Sequence, residues 1–87
     1  LAPNLKQALE GKRGKDYKTL LQEFVQRDGD KHIVYSLISE SGPDHAKTFM
    51  MEVSIDGITY EAGTGKSKKI AEQHAAQLTL ERLMAAI

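Results

Sequence analysis

An aspartate–glycine pair between two alternating segments constrains the fold of this chain most strongly. Residues 49–55, before the pair, and residues 58–62, after it, carry apolar side chains at every second position. A period of two is typical of a half-buried strand. Asp56-Gly57 favours the two-residue turn of a hairpin, because both central positions of that turn need positive φ. The middle of the chain is therefore predicted to form an antiparallel hairpin.

A helix and a further strand are predicted before the hairpin. Asp16 suits an N-cap or the first turn, and Gly29 follows closely enough to end the helix. Residues 33–39 are rich in β-branched and aromatic side chains and are predicted to be a strand, although their alternation does not show which face is buried. The apolar stripe of the helix comprises Tyr17, Leu20, Leu21, Phe24 and Val25.

A second helix is predicted after the hairpin, where residues 63–65 end the sheet. Ser67 is a good N-cap, and the helix runs to about Met84. Its predicted core stripe comprises Ala71, Ala75, Leu78, Thr79 and Leu83. The fold class is therefore α+β in the order α-β-β-β-α, with two helices packed on one face of a three-stranded antiparallel sheet.

The composition indicates one small domain without thiol chemistry. The 87 residues have a net charge of +0, from 12 basic and 12 acidic side chains, and no cysteine, which excludes disulfides and cysteine-ligated zinc. No apolar run approaches the roughly 20 residues of a membrane span. Residues 1–15 end in a glycine- and cation-rich stretch and are predicted to be a linker and the tail end of a preceding domain. The domain itself is expected to span residues 16–87.

Three lysines crowd the predicted start of the last helix: Lys66, Lys68 and Lys69. A helix N-terminus is already positive, so cations there repel the helix dipole and each other. Such a cluster is favourable when an external anion completes it; the alternative is a solvated cap. A nucleotide-binding P-loop is excluded, because its spacing needs glycine where Tyr60 stands.

Three motifs resemble the double-stranded RNA-binding domain. The first is residues 63–72, which are followed by two alanines. The second is a Gly-Pro-x-His loop within residues 42–49, with a phenylalanine four residues after the histidine. The third is residues 16–24, which resemble the first helix of that domain as found at the C-terminus of bacterial ribonuclease III. Two positions depart from the family pattern. Ile70 stands where a polar residue is common, and Glu72 is acidic where many members carry lysine.

The resemblance implies three RNA contacts: a polar helix face in one minor groove, a loop in the next minor groove, and lysines on the phosphates of the major groove between them. A-form RNA offers 2′-hydroxyls in its shallow minor groove, while its major groove is too narrow for base reading. Little sequence preference is expected. The implied RNA-binding residues are Thr19, Gln22, Glu23 and Gln26 on the helix, Gly42, Pro43 and His45 in the loop, and Lys66, Ser67, Lys68 and Lys69 at the second helix.

No catalytic residue, metal site or cofactor is predicted for this chain, because its acidic residues scatter over helices, turns and strands. The resemblance implies a parent of the ribonuclease III type. Such a parent would be a cytoplasmic, metal-dependent endoribonuclease, with Mg²⁺ needed only by its nuclease domain, and a homodimer through that domain. The domain described by this chain is expected to be monomeric, with double-stranded RNA as its partner and no membrane association.

Two other functions are compatible with the same fold. A protein-interaction or dimerisation module would use the open face of the sheet, but is expected to lack the lysines or the loop histidine. A binder of single-stranded RNA would need aromatic side chains stacked on an exposed sheet. Of the five aromatics, Tyr17 and Phe24 belong to the core stripe of the first helix. Duplex RNA binding is therefore favoured.

Overall fold

The computed structural model describes residues 16–27 and 29–86. The predicted order of elements, α-β-β-β-α, is confirmed. The predicted linker, residues 1–15, lies outside the described residues. No helix in the described part of the chain combines the length and apolarity needed to cross a bilayer. The elements are helix α1 (Tyr17–Gln26), strands β1 (Ile33–Ser41), β2 (Thr48–Ile55) and β3 (Ile58–Gly65), and helix α2 (Lys68–Ala85), with a 3-10 turn (Asp44–Ala46) between β1 and β2.

The three strands form one antiparallel sheet in the order β1-β2-β3. The predicted hairpin joins β2 to β3, and both turn residues have positive φ, 52° at Asp56 and 83° at Gly57. The Asp56 carboxylate accepts a hydrogen bond from the His32 N–H at 2.9 Å, and the Asp56 N–H donates to the His32 carbonyl at 2.9 Å. The turn is therefore tied to the segment that enters β1.

The core lies between one face of the sheet and the two helices. Met51, Val53 and Ile55 alternate along β2 and are buried, while Leu21 and Val25 are the buried residues of α1. The other three members of the predicted α1 stripe are partly buried against this core. The period-two and helical patterns thus identified the inward faces of β2 and α1 correctly.

The predicted core stripe of α2 was partly wrong. Leu78 is partly exposed, whereas Ala76 and Leu80, outside the prediction, are almost completely buried. The reason is that α2 contacts α1 as well as β2 and β3. A helix with neighbours on two sides buries a wider arc than the single stripe assumed from the spacing. The buried residues of α2 are Ala71, Ala75, Ala76, Thr79 and Leu80.

Thr79 is a polar residue buried in the core. An irregularity in β3 gives its hydroxyl group a hydrogen-bond partner. The β2–β3 register shifts so that two residues of β3 lie opposite Val53. Such a bulge leaves a backbone group outside the ladder. The Glu61 N–H donates instead to the Thr79 hydroxyl at 3.3 Å, so the buried oxygen has a partner.

Strand β3 ends at Gly65, so residues 63–65, the predicted end of the sheet, are its last three positions. A Cβ at Gly63 would overlap the backbone nitrogen of Ala75 and lie 2.6 Å from the carbonyl carbon of His74. A Cβ at Gly65 would lie 2.6 Å from the nitrogen of Ala71. The two glycines therefore let α2 approach the backbone of β3 closely, and this contact positions the start of α2.

Strand β1 lies at the edge of the sheet, and its pattern is irregular. Its register against β2 shifts between Leu37 and Ser39, so Ile38 is an extra residue. Val34, Leu37 and Ile38 are all exposed. A bulge reverses the alternation midway along a strand, which explains why the sequence did not show the inward face.

Candidate nucleic-acid interface

The polar face of α1 presents the four predicted side chains to solvent, but to different extents. Gln22 and Glu23 are exposed and form no side-chain hydrogen bond among residues 16–27 and 29–86. The Thr19 hydroxyl donates to Asp16 Oδ2 at 2.7 Å. The Gln26 amide is engaged with the Lys31 backbone, donating at 3.0 Å and accepting at 3.2 Å. Gln22 and Glu23 therefore have the most hydrogen-bonding capacity left for a ligand.

The β1–β2 loop holds its conformation through backbone geometry. Gly42 has a φ of 93°, and a Cβ there would lie 2.6 Å from the Ala46 carbonyl oxygen. Pro43 precedes the 3-10 turn, and its carbonyl accepts from the Ala46 N–H at 2.9 Å. His45 is exposed at the middle of this turn. The loop therefore offers an imidazole on a short, well-defined projection.

The lysine cluster, which comprises Lys66, Lys68 and Lys69, surrounds the N-terminus of α2. All three side chains are exposed, and none forms an ion pair with a carboxylate of the described residues. Ser67 caps the helix, with its hydroxyl accepting from the Ile70 N–H at 3.1 Å. Three cations beside a positive helix end form a surface that favours anions.

The lysine cluster adjoins the α1 face and lies at the same end of the sheet as the β1–β2 loop. Lys69 lines a cleft of about 270 Å³ together with Thr19 and Gln22 of α1. Phe49, at the start of β2, pairs with Gly65, which directly precedes Lys66. The β1–β2 loop therefore lies at the same end of the sheet as the start of α2.

Two helices meet at this site through a set of polar contacts that we call the interhelix brace: Asp16, Lys18, Glu72 and Gln73. Gln73 accepts from the Tyr17 N–H at 2.6 Å and donates to Asp16 Oδ1 at 2.9 Å. Lys18 Nζ lies 2.6 Å from Glu72 Oε1. The second turn of α2 thus satisfies a first-turn N–H group of α1, which has no partner within its own helix.

Two groups at the brace, Asp16 and the neighbouring Tyr35, have shifted pKa values. Hydrogen bonds from Gln73 and Thr19 lower the pKa of Asp16 to about 2. Burial, together with the negative charges of Glu72 and Asp16, raises the pKa of Tyr35 to about 12. Lys18 Nζ lies 4.7 Å from the centroid of the Tyr35 ring. Tyr35 therefore remains a neutral phenol beneath the Lys18 ammonium at neutral pH.

Acidification should weaken the fold through Asp16. Its pKa is lowered in the folded state, so its stabilising effect is present above its ordinary value of 3.8 and is lost as the pH falls towards about 2. Asp16→Asn retains an oxygen acceptor for the N-cap but does not titrate. Urea denaturation gives the free energy of unfolding of the wild type and of D16N at each pH. We expect the wild type to be the more stable of the two at about pH 5, and this difference to decrease as the pH falls to about 2. A constant difference over this range would contradict the assignment.

Sequence reasoning missed the interhelix brace, because its members are separated by 54 to 57 residues along the chain. The one available signal was Glu72, which departs from the family pattern and proves to be the partner of Lys18. Ile70, the other departure, is 54% exposed while its side chain lies over Gly65. Within the described residues, no three His, Asp or Glu side chains are grouped so as to hold a metal ion.

The fold and these surfaces define a nucleic-acid-binding class of domain, and comparison with known proteins gives the family. The family model described as "Double-stranded RNA binding motif" matches residues 17–83. The chain belongs to this family.

Similar proteins carry the name Ribonuclease 3. The protein of that name from Streptococcus gordonii is 54% identical over 67 residues, which cover 77% of this chain and 29% of the relative. The one from Streptococcus thermophilus is 56% identical over 68 residues, which cover 78% of this chain and 30% of that relative. The one from Streptococcus pyogenes serotype M1 is 54% identical over 71 residues, which cover 82% of this chain and 31% of that relative. The chain thus matches about 30% of the length of these curated relatives.

Proposed function

We propose that this domain grips double-stranded RNA by shape and backbone, with three surfaces acting together. The α1 face, chiefly Gln22 and Glu23, enters one minor groove, and the loop of Gly42, Pro43 and His45 enters the next. The lysine cluster, with Ser67, contacts phosphates on both sides of the intervening major groove. A site of two minor grooves and the major groove between them spans about 16 base pairs.

The position of the lysine cluster carries this proposal. Lys69 shares a cleft with Thr19 and Gln22, while Lys66 follows directly on Gly65, which pairs with Phe49 beside the loop. A duplex presents its grooves in the order minor, major, minor along one side. The lysine cluster adjoins the α1 face and lies at the same end of the sheet as the loop, so the cationic surface would cover the major groove while the other two surfaces reach the flanking minor grooves.

The parent protein is proposed to be a ribonuclease III-type endonuclease to which this domain delivers duplex substrate. The similarity to proteins named Ribonuclease 3 supports this. In this proposal Mg²⁺ serves the nuclease domain, the parent is a cytoplasmic homodimer through that domain, and the domain described here is itself monomeric. Binding and cleavage then reside in different parts of the parent.

A panel of nucleic acids tests the proposed function. We expect the chain to bind a 20-base-pair RNA duplex of arbitrary sequence, and to bind duplex DNA and single-stranded RNA at least tenfold more weakly, in gel-shift or anisotropy titrations. Affinity should fall by roughly 0.7 to 0.9 log units per log unit of salt for each phosphate neutralised. Equal binding to all three nucleic acids would reject shape recognition.

The alternative of a protein-interaction module rests on the apolar side chains that β1 exposes. Val34, Leu37 and Ile38 are 39%, 40% and 46% exposed at the edge of the sheet. Exposed edge strands favour association with another chain. Sedimentation velocity distinguishes the two functions: a monomer over micromolar concentrations that binds duplex RNA supports the proposal, and a stable dimer without RNA affinity supports the alternative.

A further inference from the structure

We infer that the interhelix brace determines selectivity for the A-form duplex, by fixing the distance and angle between the α1 face and the lysine cluster. In this role Lys18, Glu72 and Gln73 are positioning residues. The inference rests on the proposed function of those two surfaces.

The brace adjoins both surfaces that it would position. Glu72 and Gln73 lie four residues after Lys68 and Lys69 in α2, so they occupy the next turn on the same side of the helix. Lys18 in α1 lies four residues before Gln22. A change at the brace therefore displaces Lys69 relative to Gln22 across the cleft that they share.

The contacts in the brace are directional, unlike the apolar packing beneath them. The Gln73 amide binds two groups at the start of α1, the Tyr17 N–H and the Asp16 carboxylate. Hydrogen bonds weaken steeply with angle, whereas burial of apolar surface is non-directional. Leu21 and Ala75 hold the helices together in the core, and Gln73 fixes how they are oriented at the surface.

The sign of the charge on Glu72 supports a positioning role. A carboxylate one turn from the lysine cluster reduces the attraction for phosphates, so it opposes the proposed function of that cluster. Its partner is Lys18, at 2.6 Å, with side-chain exposures of 22% for Glu72 and 37% for Lys18. The benefit of Glu72 therefore lies in its contact with α1.

A fixed spacing discriminates between duplex forms because their grooves differ. The major groove of A-form RNA is deep and narrow, whereas that of B-form DNA is about 12 Å wide. The distance from a minor-groove contact to the phosphates across the adjoining major groove therefore differs between the two forms. A rigid pair of surfaces matches one distance, and a loosely joined pair adapts to both.

Gln73→Met tests the inference, because it keeps the length of the side chain and removes both hydrogen bonds. Gln77→Met is the matched control, since the Gln77 amide contacts Glu81 of its own helix. If Q73M adopts the RNA-binding spacing between the α1 face and the lysine cluster only about a tenth of the time, its dissociation constant for duplex RNA rises about tenfold. We expect the preference for RNA over DNA of the same sequence to fall by a similar factor in Q73M and to remain unchanged in Q77M.

Glu72→Gln gives an independent test, because two explanations predict different effects on the RNA/DNA preference. If Glu72 merely reduced the positive charge, E72Q would bind RNA and DNA more tightly by the same factor, and the RNA/DNA preference would not change. If Glu72 positions the helices, E72Q lowers that preference. Lys18→Met, which removes a positive charge, should lower it too, and the double variant should show less than the sum of the two effects.

The outcomes separate this inference from the proposed function. If the wild-type chain does not prefer duplex RNA to duplex DNA, the proposed function fails. If the wild type shows the preference, and both Q73M and E72Q retain it within about twofold while circular dichroism shows a native fold, the brace has no positioning role. Thermal unfolding of each variant, compared with Q77M, shows whether a loss of binding reflects unfolding.

Discussion

Replacing Lys68 and Lys69 with alanine should weaken binding to duplex RNA by about a hundredfold. Hydrogen bonds to charged groups contribute about 1.5–3 kcal/mol each, and each 1.4 kcal/mol corresponds to about a factor of ten in affinity. Both ammonium groups are exposed beside the N-terminus of α2. The dependence of log affinity on log salt should also become shallower by about one unit per lysine.

The fold of this double variant should be intact, because the lysines oppose the helix dipole rather than stabilise the helix. Its melting temperature is expected to equal or slightly exceed that of the wild type. Arg82→Ala removes one cation in the last turn of α2 and serves as the control for net charge; it should retain nearly full affinity. Wild-type affinity in K68A/K69A would show that the phosphates bind elsewhere.

A single methyl group at position 63 should destabilise the domain by about 3 kcal/mol, at the upper end of the range for overpacking. The Cβ of Gly63→Ala would meet backbone atoms of His74 and Ala75. Backbone cannot rotate away as a side chain can, so α2 must separate from β3. The start of α2, which carries the lysine cluster, would move with it.

Urea denaturation measures this effect against Thr64→Ala, the exposed neighbouring position on β3. An exposed substitution without such contacts normally changes the free energy of unfolding by less than about 0.5 kcal/mol. If G63A were as stable as T64A, the close contact between α2 and β3 would not determine the packing of this helix.

Local patterns sufficed to predict most of the fold. The hairpin at Asp56-Gly57 follows from turn chemistry, and the α1 and β2 faces follow from their periods. Asp16 and Ser67 act as the predicted N-caps, with their side chains accepting hydrogen bonds from Thr19 and Ile70. Each of these features depends on residues within a few positions of one another, which is the range over which sequence patterns are informative.

The errors arise where distant segments meet. Leu78 was assigned to the core in place of Leu80, because the spacing within α2 does not show that α1 covers a second side of that helix. Gln26 stays a predicted RNA contact; its amide is engaged with the backbone of Lys31, a contact that the spacing within α1 does not show. The arrangement of the candidate site likewise depends on Gln73 reaching the start of α1.

The capping of α1 by Gln73 also has a consequence for folding order. A helix of ten residues is marginal by itself in water, and the Tyr17 N–H finds its acceptor 56 positions further along the chain. Closing so long a loop is entropically costly and comes after local structure forms. The Tyr17 N–H therefore gains its side-chain acceptor only when α2 has docked on α1, so the α1 face and the lysine cluster take up their final relative position in that same step.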